Sequence, residues 1–261
     1  LCFGYGYSAK SLAPYLIEKG WRITGTSRSE VGIADNGVTL VNFSEIDEKF
    51  MKNVTHIVIS IPPDSKGDPV LIKFAGLIKD LENLHWVGYL STTGVYGNTN
   101  GALVDENSPL NPTSKRSEYR LLAERSWLEL NYSKGLPIHV FRLAGIYGVG
   151  RNIFKQVLEG RAQRIRLPGH KFSRIHVEDI VGVLIASIFT REPGGIYNVC
   201  DDQPAAQSDV VTCACDILNI NPPDFIEFEE AVRSMTPMSK SFWMDNRRVD
   251  NRKIKTNLKV I

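Results

Sequence analysis

Leu1-Cys2-Phe3-Gly4-Tyr5-Gly6-Tyr7-Ser8-Ala9 is the end of a strand that breaks at a glycine turn and continues as a helix. A G-x-G-x-x-A turn in that setting can hold the pyrophosphate of a dinucleotide. Gly4 permits the tight turn, Gly6 lets the backbone come close to the phosphates, and Ala9 keeps the helix near the strand. The first N–H groups of the helix and the positive end of its dipole favour an anion there, so Tyr7 and Ser8 join the candidate cofactor-binding set. The motif gains weight from its context. Trp21-Arg22-Ile23-Thr24-Gly25-Thr26 reads as a second strand one helix later, which completes the βαβ unit the turn requires.

The end of the second strand bears on which dinucleotide binds. An Asp or Glu there suits the ribose 2′-hydroxyl of NAD, whereas an Arg suits the 2′-phosphate of NADP. Here the strand ends Thr26-Ser27-Arg28-Ser29, with no carboxylate before Glu30. Hydroxyls and a guanidinium match a dianionic phosphate through charge-assisted hydrogen bonds. The expectation is therefore NADP(H) ahead of NAD(H), contacted by Ser27 and Arg28. The plainer alternative is a solvated arginine in an ordinary turn.

Composition sets outer limits. The 261 residues, 43% of them hydrophobic and 23% charged, describe a globular chain long enough for a large core. With 31 basic against 29 acidic residues, the net charge of +2 gives no electrostatic case for a nucleic-acid partner. The longest apolar run, Ile180 to Phe189, falls far short of the roughly 20 residues that span a bilayer. Cys2, Cys200, Cys213 and Cys215 show neither metal-type pairing nor a disulfide framework. No metal site and no signal peptide are read, and a reducing cytoplasm is the expected location. Because Leu1 already lies inside the first strand, a few residues are expected to precede it.

Strands and helices alternate along the first two-thirds of the chain. Tyr7 to Lys19 reads as a helix closed by Gly20, with Pro14 predicting a kink or a short first turn. Thr55 to Ile61 is a near-continuous apolar run stopped by Pro62-Pro63. Ser60 and Pro62, at its end, are further cofactor-binding candidates. Asp68 and Pro69 begin a helix as cap and first residue, with Val70, Leu71, Phe74, Leu77, Ile78 and Leu81 as its buried stripe. Further strands follow at 86–90, 138–142 and 195–199, with a helix at 114–131 between the first two. The alternation predicts an α/β fold, a doubly wound parallel sheet of the Rossmann type, over 1–148 with 173–203 returning to it. Residues 149–261 are expected to form most of a smaller C-terminal substrate lobe, containing the basic cluster Arg161, Arg164, Arg166, Lys171 and Arg174.

Five segments in order resemble the extended short-chain dehydrogenases/reductases, the epimerase/dehydratase family. They are the glycine turn, Ser91-Thr92-Thr93-Gly94-Val95-Tyr96-Gly97, Arg142 to Gly148, Ile175-His176-Val177-Glu178-Asp179, and Tyr197-Asn198-Val199. The Thr-Ser-Arg strand end and Asn246 to Asn251 are similar to an atypical, shorter branch. The resemblance implies an oxygen-binding Thr92 and, one helix later, a Tyr and a Lys four residues apart beside the nicotinamide. Positions 116 and 120 hold those places, and both are arginine. Arg120 can still hold a ribose and Arg116 an anionic substrate group, but a guanidinium cannot take up the proton that the tyrosine would. Tyr119, with Lys115 one turn before it, is a shifted candidate for that role. Tyr96 is another, against plain packing. Asp179 is expected to cap the helix Ile180 to Ser187, and His176 to be packed. The basic cluster lies where the family binds nucleotide-sugar phosphates.

These features imply an NADP(H)-dependent oxidoreductase of the epimerase/dehydratase type, acting on a carbonyl or hydroxyl of a small substrate, sugar-derived or anionic. A redox sensor that binds NADPH without turning it over is the alternative that the missing Tyr-Lys pair leaves open. A strict nucleotide-sugar epimerase or dehydratase is a third. Family members often dimerise through the helices placed here at 68–83 and 114–131, so a homodimer is also an expectation.

Overall fold

The computed structural model describes residues 1–29, 31–34, 36–190 and 192–260. Along the chain, β1 (Cys2–Phe3) leads through the glycine turn into α1 (Tyr7–Glu18), followed by β2 (Thr24–Ser27), β3 (Gly32–Ile33) and β4 (Thr39–Asn42). Next come α2 (Glu48–Met51), β5 (His56–Ile59), α3 (Pro69–Lys79), β6 (Trp86–Thr92), β7 (Leu103–Val104) and α4 (Lys115–Lys134). Then β8 (Ile138–Leu143), β9 (Gly145–Tyr147), α5 (Ile153–Leu158), β10 (Arg164–Arg166), β11 (Arg174–His176), α6 (Val177–Phe189) and β12 (Gly194–Val199) follow. The last elements are α7 (Gln207–Leu218), β13 (Phe225–Glu227), α8 (Phe228–Ser234), α9 (Pro237–Trp243), β14 (Arg248–Val249) and α10 (Arg252–Asn257).

Among the described residues, eight strands form the central sheet in the order β12-β8-β6-β5-β1-β2-β4-β3. Every pairing in it is parallel except β3 with β4. The sheet is doubly wound, as the alternation predicts. Leu12 and Leu16 of α1 pack with Ile180 and Leu184 of α6 in one apolar layer. Phe74 and Ile78 of α3 pack with Trp127 and Leu130 of α4 in the other. The strand order reverses at β1, which pairs with β2 on one side and β5 on the other. A crevice for ligands opens outside the carboxyl ends of strands at such a reversal. Two smaller apolar clusters lie apart from these layers: Val157 with Val211, Ala214 and Cys215, and Ile165 with Ala231 and Trp243.

Three local expectations can be set against the structure. Pro14 lies within α1, which runs without interruption from Tyr7 to Glu18. Both Pro14 and Lys10 are exposed, so water can serve the Lys10 carbonyl that loses its N–H partner. In the helix beginning at Asp68 the stripe divides: Val70, Phe74 and Ile78 are buried, while Leu71, Leu77 and Leu81 are partly buried against the same cluster. Asp179 does not cap its helix. His176 does, its side chain accepting from the Glu178 N–H, because α6 begins three residues earlier than the apolar run suggests.

One buried polar network fastens α4 to the sheet. The guanidinium of Arg142 on β8 pairs with the carboxylate of Glu124 on α4, both side chains almost wholly enclosed. Ser91 Oγ donates to Glu124 Oε2 at 2.9 Å, Arg142 Nη1 donates to the Tyr96 hydroxyl at 2.8 Å, and that hydroxyl donates to Asn198 Oδ1 at 2.6 Å. Tyr96 is thus a packed member of this network. Removing one partner of a buried ion pair leaves an uncompensated charge and costs about 3–5 kcal/mol. Arg142→Met is expected to lose about that much stability in urea unfolding, and Arg142→Met with Glu124→Leu to recover part of it. Equal losses in the single and double variants would show that the pair is not what matters there.

His139 gives the fold an acid sensitivity. It is buried beside Trp86 and Phe141, with Nδ1 3.1 Å from Ser187 Oγ, and burial pushes its pKa down to about 4. In the unfolded chain the imidazole titrates near 6.5. Between these values the unfolded chain binds more protons, so this stability is complete above about pH 6.5 and is lost as pH falls toward 4. The His139 share of the loss amounts to about 3 kcal/mol by pH 4. Unfolding midpoints measured from pH 7 to pH 4 are expected to fall less steeply in His139→Gln than in the parent; parallel curves would remove His139 from the explanation.

Candidate functional site at the crossover of the sheet

The glycine turn sits at the reversal of strand order and is held from both sides by hydroxyls. The Gly4 N–H donates to Thr26 Oγ1 at 2.8 Å, and Ser60 Oγ donates to the Gly4 carbonyl at 2.7 Å. Gly4 has φ +89°, and a Cβ there would lie 2.7 Å from Ser60 Oγ, so only glycine fits. Gly6 differs. It caps α1 with extended backbone and no side-chain hydrogen bond, and a Cβ on it would meet nothing within 4 Å. No acid stands in the first turn of α1. An exposed, uncapped N-terminus beside open space fits an anionic group approaching the backbone.

Ser8 and Ala9 are buried in that first turn, while the Tyr7 side chain reaches across to another segment. Its hydroxyl donates to the Val149 carbonyl at 2.9 Å, and Arg151 Cζ lies 5.9 Å from its ring centroid. Ser60 thus serves as a strut for the turn, with Pro62 exposed just beyond it.

A second group of residues gathers beyond β6 and at the start of α4. Thr92 Oγ1 accepts from the Gly94 N–H at 3.1 Å, which leaves its own hydrogen to donate elsewhere. A Cβ at Gly94 would meet Ser117 Oγ at 2.7 Å and Thr92 Oγ1 at 3.3 Å, so α4 lies close against this loop. Helix and strand run in opposite directions: Ser117 adjoins Gly94, Glu124 bonds Ser91, and the Trp127 ring lies 6.3 Å from that of Tyr89. Position 116 therefore stands level with the loop at the carboxyl end of β6.

The two arginines differ in their surroundings. Arg120 is tethered, its Nη1 donating to the Leu90 carbonyl at 2.8 Å and to the Tyr89 hydroxyl at 3.4 Å. Burial nevertheless pushes the Tyr89 pKa up to about 12 despite that cation. Arg116 is exposed, with Cζ 4.9 Å from the centroid of the Phe242 ring on α9. Tyr119 lines a groove of about 580 Å³ between α3 and α4, together with Leu71, Ile72, Leu122 and Ser126. The structure thus sets Ser117 of α4 against the Thr92–Gly94 loop, Arg120 on the Leu90 carbonyl, Arg116 one turn before it on the same helix, and Tyr119 in the interhelical groove.

The basic cluster is largely committed. Arg161 pairs with Glu159 and Arg166 with Glu227, Arg174 donates to the carbonyls of Phe172 and Ala205, and Arg164 and Arg166 both lie over the Phe225 ring. His176 caps α6 and meets the Tyr147 ring edge-on. Sequence reasoning missed Ser117, Phe242 and the bond from Tyr7 to Val149. Ser117 had a signal in the Ser114-x-x-Ser117 start of α4; Phe242, more than a hundred residues from the helix it meets, had none.

A doubly wound sheet with this turn at its reversal and a Thr-bearing loop after β6 is the fold shared by solved epimerases and dehydratases that bind a dinucleotide. Among solved structures, a functionally unknown conserved protein from Silicibacter pomeroyi DSS is 44% identical, with a TM-score of 0.91 over 100% of this chain and 91% of that one. Protein YeeZ of Escherichia coli (strain K12) is 26% identical over 247 residues, 85% of this chain and 84% of its own length. The UDP-glucuronic acid 4-epimerase of Bacillus cereus, solved in complex with NAD, shares the fold at 15% identity, with a TM-score of 0.75 over 100% of this chain and 92% of that one. No family model matches the chain.

These comparisons correct the cofactor expectation. The epimerase was crystallised with NAD, as were other solved structures of this fold, and that overturns the reading of NADP(H). The second strand offers a physical reason. Thr26 Oγ1 is occupied by the Gly4 N–H, Ser27 Oγ accepts from the Ser29 N–H at 3.3 Å, and Arg28 is exposed without a bond to any described residue. The residue types that suit a 2′-phosphate are present, but the hydroxyls are turned to holding the backbone.

The two glycines make separable predictions. Gly4→Ala is expected to destabilise the fold by about 1–3 kcal/mol through its left-handed backbone. Gly6→Ala should leave the unfolding midpoint within about 1 kcal/mol of the parent and lower dinucleotide affinity at least about tenfold, because its methyl group enters the space the phosphates need. Unchanged affinity in Gly6→Ala, measured by calorimetric titration, would remove the turn from the binding site.

Proposed function

We propose that the protein binds NAD(H) at the glycine turn and uses it to oxidise or reduce a carbonyl/hydroxyl carbon of a small substrate, in the manner of the epimerase/dehydratase class. The observation that carries this reading is the turn itself: fixed through Gly4, open at Gly6, and placed where the strand order reverses. When bound, the nicotinamide supplies a hydride acceptor or donor. The first-turn N–H groups of α1 hold the pyrophosphate. Thr92 donates its hydrogen to the substrate oxygen, a contact that strengthens as charge develops there. Arg120, braced by the Leu90 carbonyl two residues before Thr92, holds a fixed positive charge at that end of β6. Neither arginine accepts the proton, because a guanidinium stays protonated; in this reading the proton that accompanies the hydride is exchanged with solvent water. The α3–α4 groove, with Ile72 and Leu122 exposed on it, belongs to the same reading as the face for a homodimer.

A second reading, an NAD(H)-binding regulatory protein without turnover, rests on one observation: guanidinium groups occupy both 116 and 120. One set of measurements separates the two. NADH fluorescence titration is expected to show saturable binding that is tighter than for NADPH. Turnover across aldehydes, ketones and nucleotide-sugars is expected to fall at least about tenfold in Thr92→Val, which removes one hydrogen-bond donor. Tight NADH binding with no turnover on any compound favours the regulatory reading, and absence of NADH binding defeats both.

A further inference from the structure

We infer that Arg116 is a specificity-determining residue for an oxyanion group, a carboxylate or a phosphate, on the substrate, and that Phe242 is the residue that positions it. This rests on the substrate lying beside Thr92, as in the function proposed above. The argument begins with an electrostatic conflict. Arg116 lies in the first turn of a 20-residue helix, the end where the dipole disfavours a cation. The acid nearest in sequence, Glu118, is committed to Lys115, whose Nζ lies 2.8 Å from its Oε2. Arg116 forms no ion pair or hydrogen bond with any described residue, and Arg120 one turn on adds positive charge that only neutral oxygens meet. Conflicts of this kind persist where a ligand relieves them.

The Phe242 contact makes the unpaired charge usable. A guanidinium held over an aromatic ring spends no hydrogen bond on that contact, so its N–H groups stay available for a two-pronged bond to an oxyanion. Phe242 belongs to α9, whereas Arg116 stands level with the loop of Thr92 and Gly94. This contact therefore joins the C-terminal part of the chain to the end of the sheet where the proposed chemistry takes place. A charged group held there lies beside the oxygen that Thr92 would bind, so the site distinguishes substrates by an anionic substituent near the reacting carbon.

The test uses matched pairs titrated calorimetrically into the NADH-loaded protein, with the cofactor-free protein run in parallel. UDP-glucuronic acid against UDP-glucose reports on a carboxylate, and glucose 6-phosphate against glucose on a phosphate. The charged member of one pair is expected to bind roughly 10- to 100-fold more tightly; which pair shows the difference identifies the anion. Arg116→Gln should abolish that preference and leave the neutral member unchanged, and Arg116→Lys should restore only part of it. Phe242→Leu should weaken the charged member alone, a selectivity that general disturbance of the fold would not produce. No preference in the parent, no binding of either pair, or a preference that survives Arg116→Gln overturns the inference. NADH affinity measured on the same samples is expected to be equal in parent and Arg116→Gln. Its absence would count against the proposed function, while the cofactor-free titrations still report on Arg116.

Discussion

The ion pair between Glu124 and Arg142 is the constraint on which the site depends. Two charges withdrawn from water are tolerable only when each satisfies the other and the remaining donors and acceptors find partners. Ser91 bonds Glu124, Tyr96 accepts from Arg142 and Asn198 accepts from Tyr96, and each comes from a different segment: the end of β6, the turn after it, and β12. The network therefore fixes the depth at which α4 lies on the sheet. That depth sets which residues of the helix face the loop of Thr92. A shift of one residue would turn the face bearing 116 and 120 by about 100°.

The glycine turn shows the same economy on the other side of the crossover. Its conformation is determined by Thr26 and Ser60, which take its N–H and its carbonyl, rather than by the turn alone. The Ser60 hydroxyl acts on the turn itself, through the Gly4 carbonyl. Both hydroxyls sit at the ends of neighbouring strands, so the geometry presented to a ligand is inherited from the sheet. A site built this way needs little rearrangement when an anion arrives.

The fold was legible in the sequence because periodicity and turn chemistry agreed. The apolar run ending at Pro62, the Asp68-Pro69 helix start and the glycine turn each encode their own local geometry, and the strand alternation then leaves few topologies. The position of Thr92 was legible for the same reason, since it ends a buried strand. The cofactor reading failed at Arg28 because a residue type says which ligand would suit it, not whether the neighbouring hydroxyls are free to help. The cap of α6 was misplaced because Asp179 looks like a capping residue, whereas a histidine three residues earlier does the work through its ring nitrogen. Phe242 could not be found at all. Its contact with Arg116 arises from how the C-terminal segment packs, and nothing in local pattern records that.

The outermost strand on one side, β3, contains only Gly32 and Ile33 and runs against its neighbour β4. A parallel sheet ending in a longer strand would expose a row of unpaired N–H and carbonyl groups able to template another chain. Two residues, one of them a glycine at φ +125°, present too short and too twisted a ribbon for that. At the opposite side the outermost strand β12 is six residues long, but α10 packs against it and Asn251 Nδ2 donates to the carbonyl of Cys200, just past its end. One border is cut short and the other is packed against a helix, so neither strand needs charged residues to limit the edge it offers another chain.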